Sequence, residues 1–232
     1  MKKVYALITA RKNSKTVKNK NILKIGRDTL IGRSIKTLKK SKIFEEIFLS
    51  SDSNLYLKIG EKNKIKTIIR PKKFSLDNTP SAQVVEHFLN FLTISNYETP
   101  KIIFIVQPTS PFVTKENYKS ALNLFSNKKA ASVISVIKTP HKYHYENQRT
   151  LDNENKIKFK FKNTASLRQM KKETFVHGNI FAVRTKKFLQ QKKILAKPIY
   201  AFKLKKNWHA IDIDEYEDLE LSRLIFKKNS KI

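Results

Sequence analysis

Cysteine is absent from the 232 residues, glycine occurs only 4 times, and 19 acidic residues face 49 lysines and arginines. Without cysteine, disulfides, zinc–thiolate sites, iron–sulfur clusters and thiol nucleophiles are excluded. The scarcity of glycine matches the lack of a Walker loop and of a dinucleotide fingerprint, both of which need glycines at fixed offsets. No apolar run is long enough to cross a bilayer. The longest runs have the length of buried strands. Val4 to Ala10 after Met1-Lys2-Lys3 has a faint look of a signal peptide, but Arg11, Lys12 and Lys15 follow at once, so it reads as a first strand. The expected location is the cytoplasm, with no membrane association.

The net charge is +30. One reading is a nucleic-acid binder, its lysines neutralising phosphates. The other is compositional drift, since lysine far exceeds arginine and isoleucine and asparagine are abundant. The lysines are spread along the whole chain rather than gathered in a stripe, which favours drift. Under either reading a positive field attracts anionic substrates.

Short apolar runs alternate with helical periodicity. Strands are expected at 4–10, 46–50, 65–69, 102–106 and 131–137. Helices are expected at 30–40, after Asp52 or Ser53 as cap, at 81–95, and after Thr114 as cap. This alternation predicts a parallel sheet covered on both faces, which binds ligands at the carboxyl ends of its strands. Residues 138–174 break the pattern. They are polar and rich in lysine and asparagine, with alternation at Ile157, Phe159 and Phe161, which suggests an extended ribbon. Strand character returns at 175–183 and 200–204. Residues 214–226 read as a terminal helix, and 227–232 as a frayed basic tail. No repeat or long linker divides the chain, so residues 1–232 are expected to form a single domain.

Four segments could carry chemistry. The turn Ala10-Arg11-Lys12-Asn13-Ser14-Lys15, followed by Lys20-Asn21, sits after the first strand, where backbone N–H groups and cations suit phosphates. It could equally be a solvated loop. Gln107-Pro108-Thr109-Ser110-Pro111 follows the most apolar strand, and its hydroxyls and amide could read a base or ribose. A rigid turn with a helix cap is the alternative. In Ala210-Ile211-Asp212-Ile213-Asp214, extended backbone puts both carboxylates on one face, which suits magnesium with substrate phosphates. Asp214 could instead cap the last helix. Arg70-Pro71, with Asp77 and Ser81 nearby, could bind a phosphate or carboxylate. The five histidines show no metal-ligand spacing.

Taken in order, ITARKNSKTVKNKN, LSSDS, RPKKFSLDNTPS, QPTSPF, HGNIFAV and AIDIDEYEDLEL resemble the CMP-sugar synthetase family, which includes the acylneuraminate cytidylyltransferases. The resemblance runs from Tyr5 to about Phe226. It implies a three-layer Rossmann-like nucleotidyltransferase fold with a mostly parallel sheet. It also implies an extended dimerisation arm, here residues 138–175, and hence a homodimer. The implied reaction joins CMP from CTP to the anomeric hydroxyl of an acidic nine-carbon sugar, with Mg2+ as cofactor and pyrophosphate as leaving group. Arg11, Ser14, Lys20 and Asn21 match the family's nucleotide loop. Arg70 and Ser81 match positions at the cytosine end. Gln107, Thr109 and Ser110 match residues facing the sugar, Arg168 matches a basic residue that faces the sugar or the triphosphate, and Asp212 and Asp214 match the magnesium carboxylates. Arg11, Lys20, Asp212 and Asp214 are the expected catalytic set. The chain departs from the pattern at Thr16-Val17-Lys18, Val176 and Gly178-Asn179, and the last two lie on the sugar side. Other readings are an eight-carbon ketodeoxyoctonate substrate, or a basic nucleic-acid-binding protein without catalysis.

Overall fold

The computed structural model describes residues 3–12, 16–160 and 168–229. In chain order it forms β1 (Val4–Thr9), β2 (Lys24–Ile25), β3 (Asp28–Thr29), α1 (Leu30–Ser41), β4 (Glu46–Ser51), α2 (Asn54–Lys62) and β5 (Lys66–Ile69). Then follow α3 (Ser81–Ile94), β6 (Ile102–Val106), α4 (Lys115–Asn127), β7 (Ser132–Lys138), β8 (Arg149–Leu151) and β9 (Ile157–Phe159). The chain ends in β10 (Phe175–Arg184), α5 (Thr185–Gln191), β11 (Ile199–Lys203) and α6 (Tyr216–Lys228).

The main sheet has the order β11-β7-β10-β6-β1-β4-β5. β1 pairs in parallel with β4 and β6, β4 with β5, and β7 with β11. β10 alone among these strands runs antiparallel, against both β6 and β7. The chain first adds β4 and β5 on one side of β1, then returns through α3 to place β6 on the other side. The crevice at the carboxyl ends of these central strands is therefore the place where such sheets bind ligands.

Alternation within each strand builds two cores. Val4, Ala6 and Ile8 of β1 face one side with Ile31, Ile35 and Leu38 of α1 and Tyr118, Ala121 and Phe125 of α4. Tyr5 and Leu7 face the other, with Val85, Phe88 and Leu92 of α3 and Phe188 of α5. The result is three layers, helix on sheet on helix. A third small core, Ile25, Leu30, Ile213 and Leu219, fastens α6 and the segment before it to the β2–β3 hairpin.

Thr114 caps α4 as expected, accepting from Asn117 N at 3.3 Å while Asn117 Oδ1 accepts from Thr114 N at 3.0 Å. Of the two residues expected to cap α2, Ser53 takes the N-cap position, without a side-chain bond, and Asp52 accepts instead from Lys12 N at 2.7 Å. Glu215, not Asp214, caps α6, in a reciprocal box with Asp218. The side chain of Asp214 is engaged elsewhere. α6 also continues through Lys227 and Lys228, where two cations sit favourably at the negative end of the helix, so the helix runs into the expected tail. Residues 230–232 lie outside the described residues. The helix α5 was not anticipated.

The described residues between Lys138 and Phe175 leave the sheet, while residues 161–167, where the expected alternation at Phe161 falls, lie outside the described residues. Lys138 faces Phe175 in the β7–β10 ladder, and Thr139 N donates to Thr174 O at 2.9 Å. Between them β8 and β9 form a two-stranded ribbon, with Leu151, Ile157 and Phe159 exposed.

Candidate active site

The turn after β1 is fixed from below by backbone. Ala10 N donates to Ser50 O at 3.1 Å, and Asn21 Nδ2 donates to Arg11 O at 3.0 Å. Together with the Asp52 bond to Lys12 N, these contacts present the Arg11 side chain over the crevice. Its guanidinium pairs with Asp77, from the loop between β5 and α3. Lys20 Nζ crosses to the far end of the chain, donating to Ile213 O at 2.9 Å and Asp214 Oδ1 at 2.8 Å. Ser14 lies outside the described residues.

Arg70 follows β5, its N donating to Ser51 O at 2.8 Å. It is 5% exposed, and its Nε and Nη2 have no hydrogen-bond partner among the described residues. Burial lowers its basicity, Asp52 opposes that, and nearby Arg11 adds to it. Buried donors without acceptors cost free energy unless a ligand satisfies them. Behind it, burial first and then Arg70 and Lys73 hold the His87 imidazole below its usual pKa.

Extended backbone at 211–214 sends alternate side chains opposite ways. Ile213 is fully buried against Leu30 and Leu219, while Asp212 and Asp214 face the crevice. Ile213 N donates to Thr109 O at 2.8 Å, which joins this segment to the Gln107–Pro111 turn. Burial raises the Asp212 pKa, a hydrogen bond from Thr109 opposes the rise, and Asp214 reinforces it. Asp212 Oδ1 has no hydrogen-bond partner among the described residues.

These elements enclose one cavity of about 340 Å³. Arg11, Lys20 and Asn21 line it from the first turn, and Arg70 and Ser81 from the β5–α3 side. Gln107, Thr109, Asp212 and Asp214 close it from the other side. Ser110 is not part of the lining. It is 4% exposed, and its N donates to Gln107 O at 3.2 Å within the turn. Arg168 begins a short helical turn, and its side chain lies outside the described residues. Thr9, Ser81 and Gln107 also border an adjoining cavity of about 240 Å³ lined by Ile105, Phe181, Ile194 and Leu195.

Sequence reasoning did not single out Thr9, took Asp52 only as a possible helix cap, and noted Asn179 only as a departure from the family pattern. Asn179 Nδ2 donates to His209 O at 2.7 Å, tying β10 to the segment that leads to Asp212. The signal for this was the polar break inside the apolar run HGNIFAV. Gly178 beside it has a packing reason, since a Cβ there would lie 2.3 Å from Ser135 Oγ. Among the described residues no group of three or more His, Asp or Glu is placed to hold a metal. The Asp212–Asp214 pair is still a suitable donor set for a hard cation that takes its other ligands from substrate phosphates and water. The partnerless Asp212 Oδ1 fits that use.

A doubly covered, mostly parallel sheet with a cation-lined crevice at its carboxyl ends defines a nucleotide-handling α/β protein. The sequence matches the cytidylyltransferase family over residues 5–232, and the chain belongs to that family. It is 27% identical to the N-acylneuraminate cytidylyltransferase of Escherichia coli O18:K1:H7, over 99% of this chain and 53% of that protein. It is also 27% identical to the pseudaminic acid cytidylyltransferase of Campylobacter jejuni serotype O:2, over 96% of each chain. The chain thus spans about half the length of the N-acylneuraminate relatives it matches and nearly all of the pseudaminic one. The fold is shared with a CMP:2-keto-3-deoxy-manno-octonic acid synthetase solved with CTP, at TM-score 0.71 and 12% identity, covering 98% of this chain and 99% of that one.

Proposed function

We propose that the chain transfers CMP from CTP to the anomeric hydroxyl of an acidic nine-carbon sugar, N-acylneuraminate or a relative such as legionaminate or pseudaminate, releasing pyrophosphate. The observation that carries this reading is the convergence of the first turn, Arg70, the Gln107–Thr109 turn and the Asp212–Asp214 pair on one cavity. The family and the names of the relatives point the same way. The eight-carbon substrate is the weaker reading, because the relative of that name shares the fold at only 12% identity.

Arg11, Lys20 and Asn21, with Ser14, take the phosphates and ribose. Arg70 and Ser81 take the cytosine end, where the free guanidinium donors of Arg70 meet an acceptor. Gln107 and Thr109 face the sugar, with Ser110 shaping their turn, and the resemblance assigns Arg168 to the sugar as well. The adjoining apolar cavity suits an acyl substituent. Asp212 and Asp214 would hold Mg2+, which when bound neutralises charge on phosphate oxygens. The protein's own contribution is to align the sugar hydroxyl with the α-phosphorus and to stabilise the charge that develops on the departing pyrophosphate through Arg11 and Lys20. No histidine lines the cavity among the described residues, so the proton of the hydroxyl passes to a carboxylate or water. The ribbon at 138–175 carries exposed Leu151, Ile157 and Phe159, which suit a homodimer interface. The activity is expected in the cytoplasm, and a field of this sign favours anionic substrates such as a triphosphate.

The test is pyrophosphate release from CTP and magnesium against a panel of acidic nine-carbon sugars and the eight-carbon acid. Release with a nine-carbon sugar, absent with ATP or without metal, is expected. Release with the eight-carbon acid alone would move the substrate assignment. Salt-sensitive binding of arbitrary DNA with no CTP binding would overturn the reading.

A further inference from the structure

The cavity contains an acid that the proposed reaction does not use. Asp77 belongs to the loop between β5 and α3, and Arg11 to the turn after β1, so their ion pair joins opposite rims of one cavity. Both side chains are partly exposed, at 36% for Arg11 and 41% for Asp77, as befits a contact at a mouth rather than in a core. The Asp77 loop supports itself by bonds of its own, including Ser75 N to Lys72 O at 2.8 Å and Thr79 N to Leu76 O at 3.1 Å. It can therefore hold a carboxylate in place without help from the opposite rim. The surroundings explain why an acid stands there. Arg11 is near enough to disfavour the charge on Arg70, and Arg70 has buried donors with no hydrogen-bond partner among the described residues. Asp52 offsets the burial of Arg70, and Arg11 takes its own counter-ion, Asp77, from the opposite rim.

We infer that Asp77 is a built-in substitute for a phosphate group, a strap that occupies Arg11 across the cavity mouth until a polyphosphate displaces it. This rests on reading the cavity as the CTP site. Asp77 and the incoming phosphates compete for the same guanidinium donors, and the carboxylate also repels their charge. The linkage is reciprocal: whatever the strap adds to the stability of the empty site is subtracted from polyphosphate affinity. A residue that merely positioned Arg11 would have the opposite sign, and its loss would weaken binding.

The experiment is calorimetric titration of the full chain with CTP and, separately, with inorganic pyrophosphate, in the absence of sugar. Asp77→Asn is expected to bind both about two- to fivefold more tightly, the worth of a partly exposed ion pair. The gain should shrink as salt is raised. Asp77→Glu restores the pair and should bind as the unmodified chain does. In an Arg11→Ala background the effect of Asp77→Asn should largely vanish, which separates competition for Arg11 from general repulsion. Weaker or unchanged binding in a folded Asp77→Asn protein overturns the strap alone, provided the unmodified chain binds CTP. Failure of the unmodified chain to bind either ligand overturns both the strap and the nucleotide reading.

Discussion

Asp212 and Asp214 stand two residues apart, yet their surroundings separate them. Asp212 is largely withdrawn from water, its carboxyl raised by burial and contacted by Thr109. Asp214 has a side chain 71% exposed and pairs with Lys20. The Lys20 side chain is only 17% exposed but has a second acceptor in Ile213 O, so the pair with the exposed Asp214 contributes about 1 kcal/mol to folding. Replacing Asp214 with asparagine should therefore leave the melting temperature nearly unchanged. It should lower turnover about a hundredfold or more, the usual cost of losing a group that stabilises transition-state charge. Steady-state kinetics beside a thermal melt will check both. An Asp214→Asn protein that keeps most of its activity would remove the metal role from this pair. At the same scale the sequence was legible in part. Alternation at 211–214 was enough to place both carboxylates on one face, because extended backbone has a period of two. It could not reveal that Asp52 holds the first turn or that Asp77 pairs with Arg11, since those contacts join residues 40 and 66 positions apart.

Among the elements, α6 and the segment before it hold the site together from the far end of the chain. Ile213 sits in the small core with Ile25, Leu30 and Leu219. Phe226 lies against Gly26, which adopts φ +66° and has a Cβ position blocked by that ring. The Arg33 guanidinium lies 4.8 Å from the centre of the same ring and donates to Pro111 O at 2.7 Å. One helix thus supports both the carboxylate pair and the turn that carries Thr109. Ile213→Ala should cost about 2–4 kcal/mol of folding stability, as buried large-to-small changes do. Urea denaturation will measure it, and an unchanged midpoint would show that the segment is not anchored through this residue. The sheet-forming runs and the amphipathic helices were readable from periodicity. The antiparallel direction of β10 was not, because strand direction depends on which neighbour the chain returns to. The short helix α5 escaped notice because only Thr185 and Phe188 of its seven residues are buried.

At the scale of the whole molecule, the +30 charge means that most cations have no acidic partner to pair with. Such a field speeds the encounter with a triphosphate and opposes close approach of two copies of the chain. The proposed homodimer must therefore form through an apolar contact, and the ribbon at 138–175 offers Leu151, Ile157 and Phe159. Analytical ultracentrifugation should find a particle of twice the 27.1 kDa chain mass. Phe159→Lys together with Leu151→Lys should shift it to the monomer. A monomer at all concentrations in the unmodified chain would remove the ribbon from that role.

The sequence by itself determined the layered α/β class, the position of each central strand, and the four segments that carry chemistry. These are local properties: burial imposes a period of two on strands and of 3.6 on helices, and turn residues mark the ends. Only the tertiary structure decided which of those segments meet. The order of strands brings the ends of β1, β5 and β6 to one crevice, and the α6 core delivers Asp212 and Asp214 to it. It also paired Asp214 with Lys20 and left the helix cap to Glu215, and withdrew Ser110 from the cavity into its turn. Contacts across such distances in the chain depend on packing the entire sheet, and no local pattern encodes them.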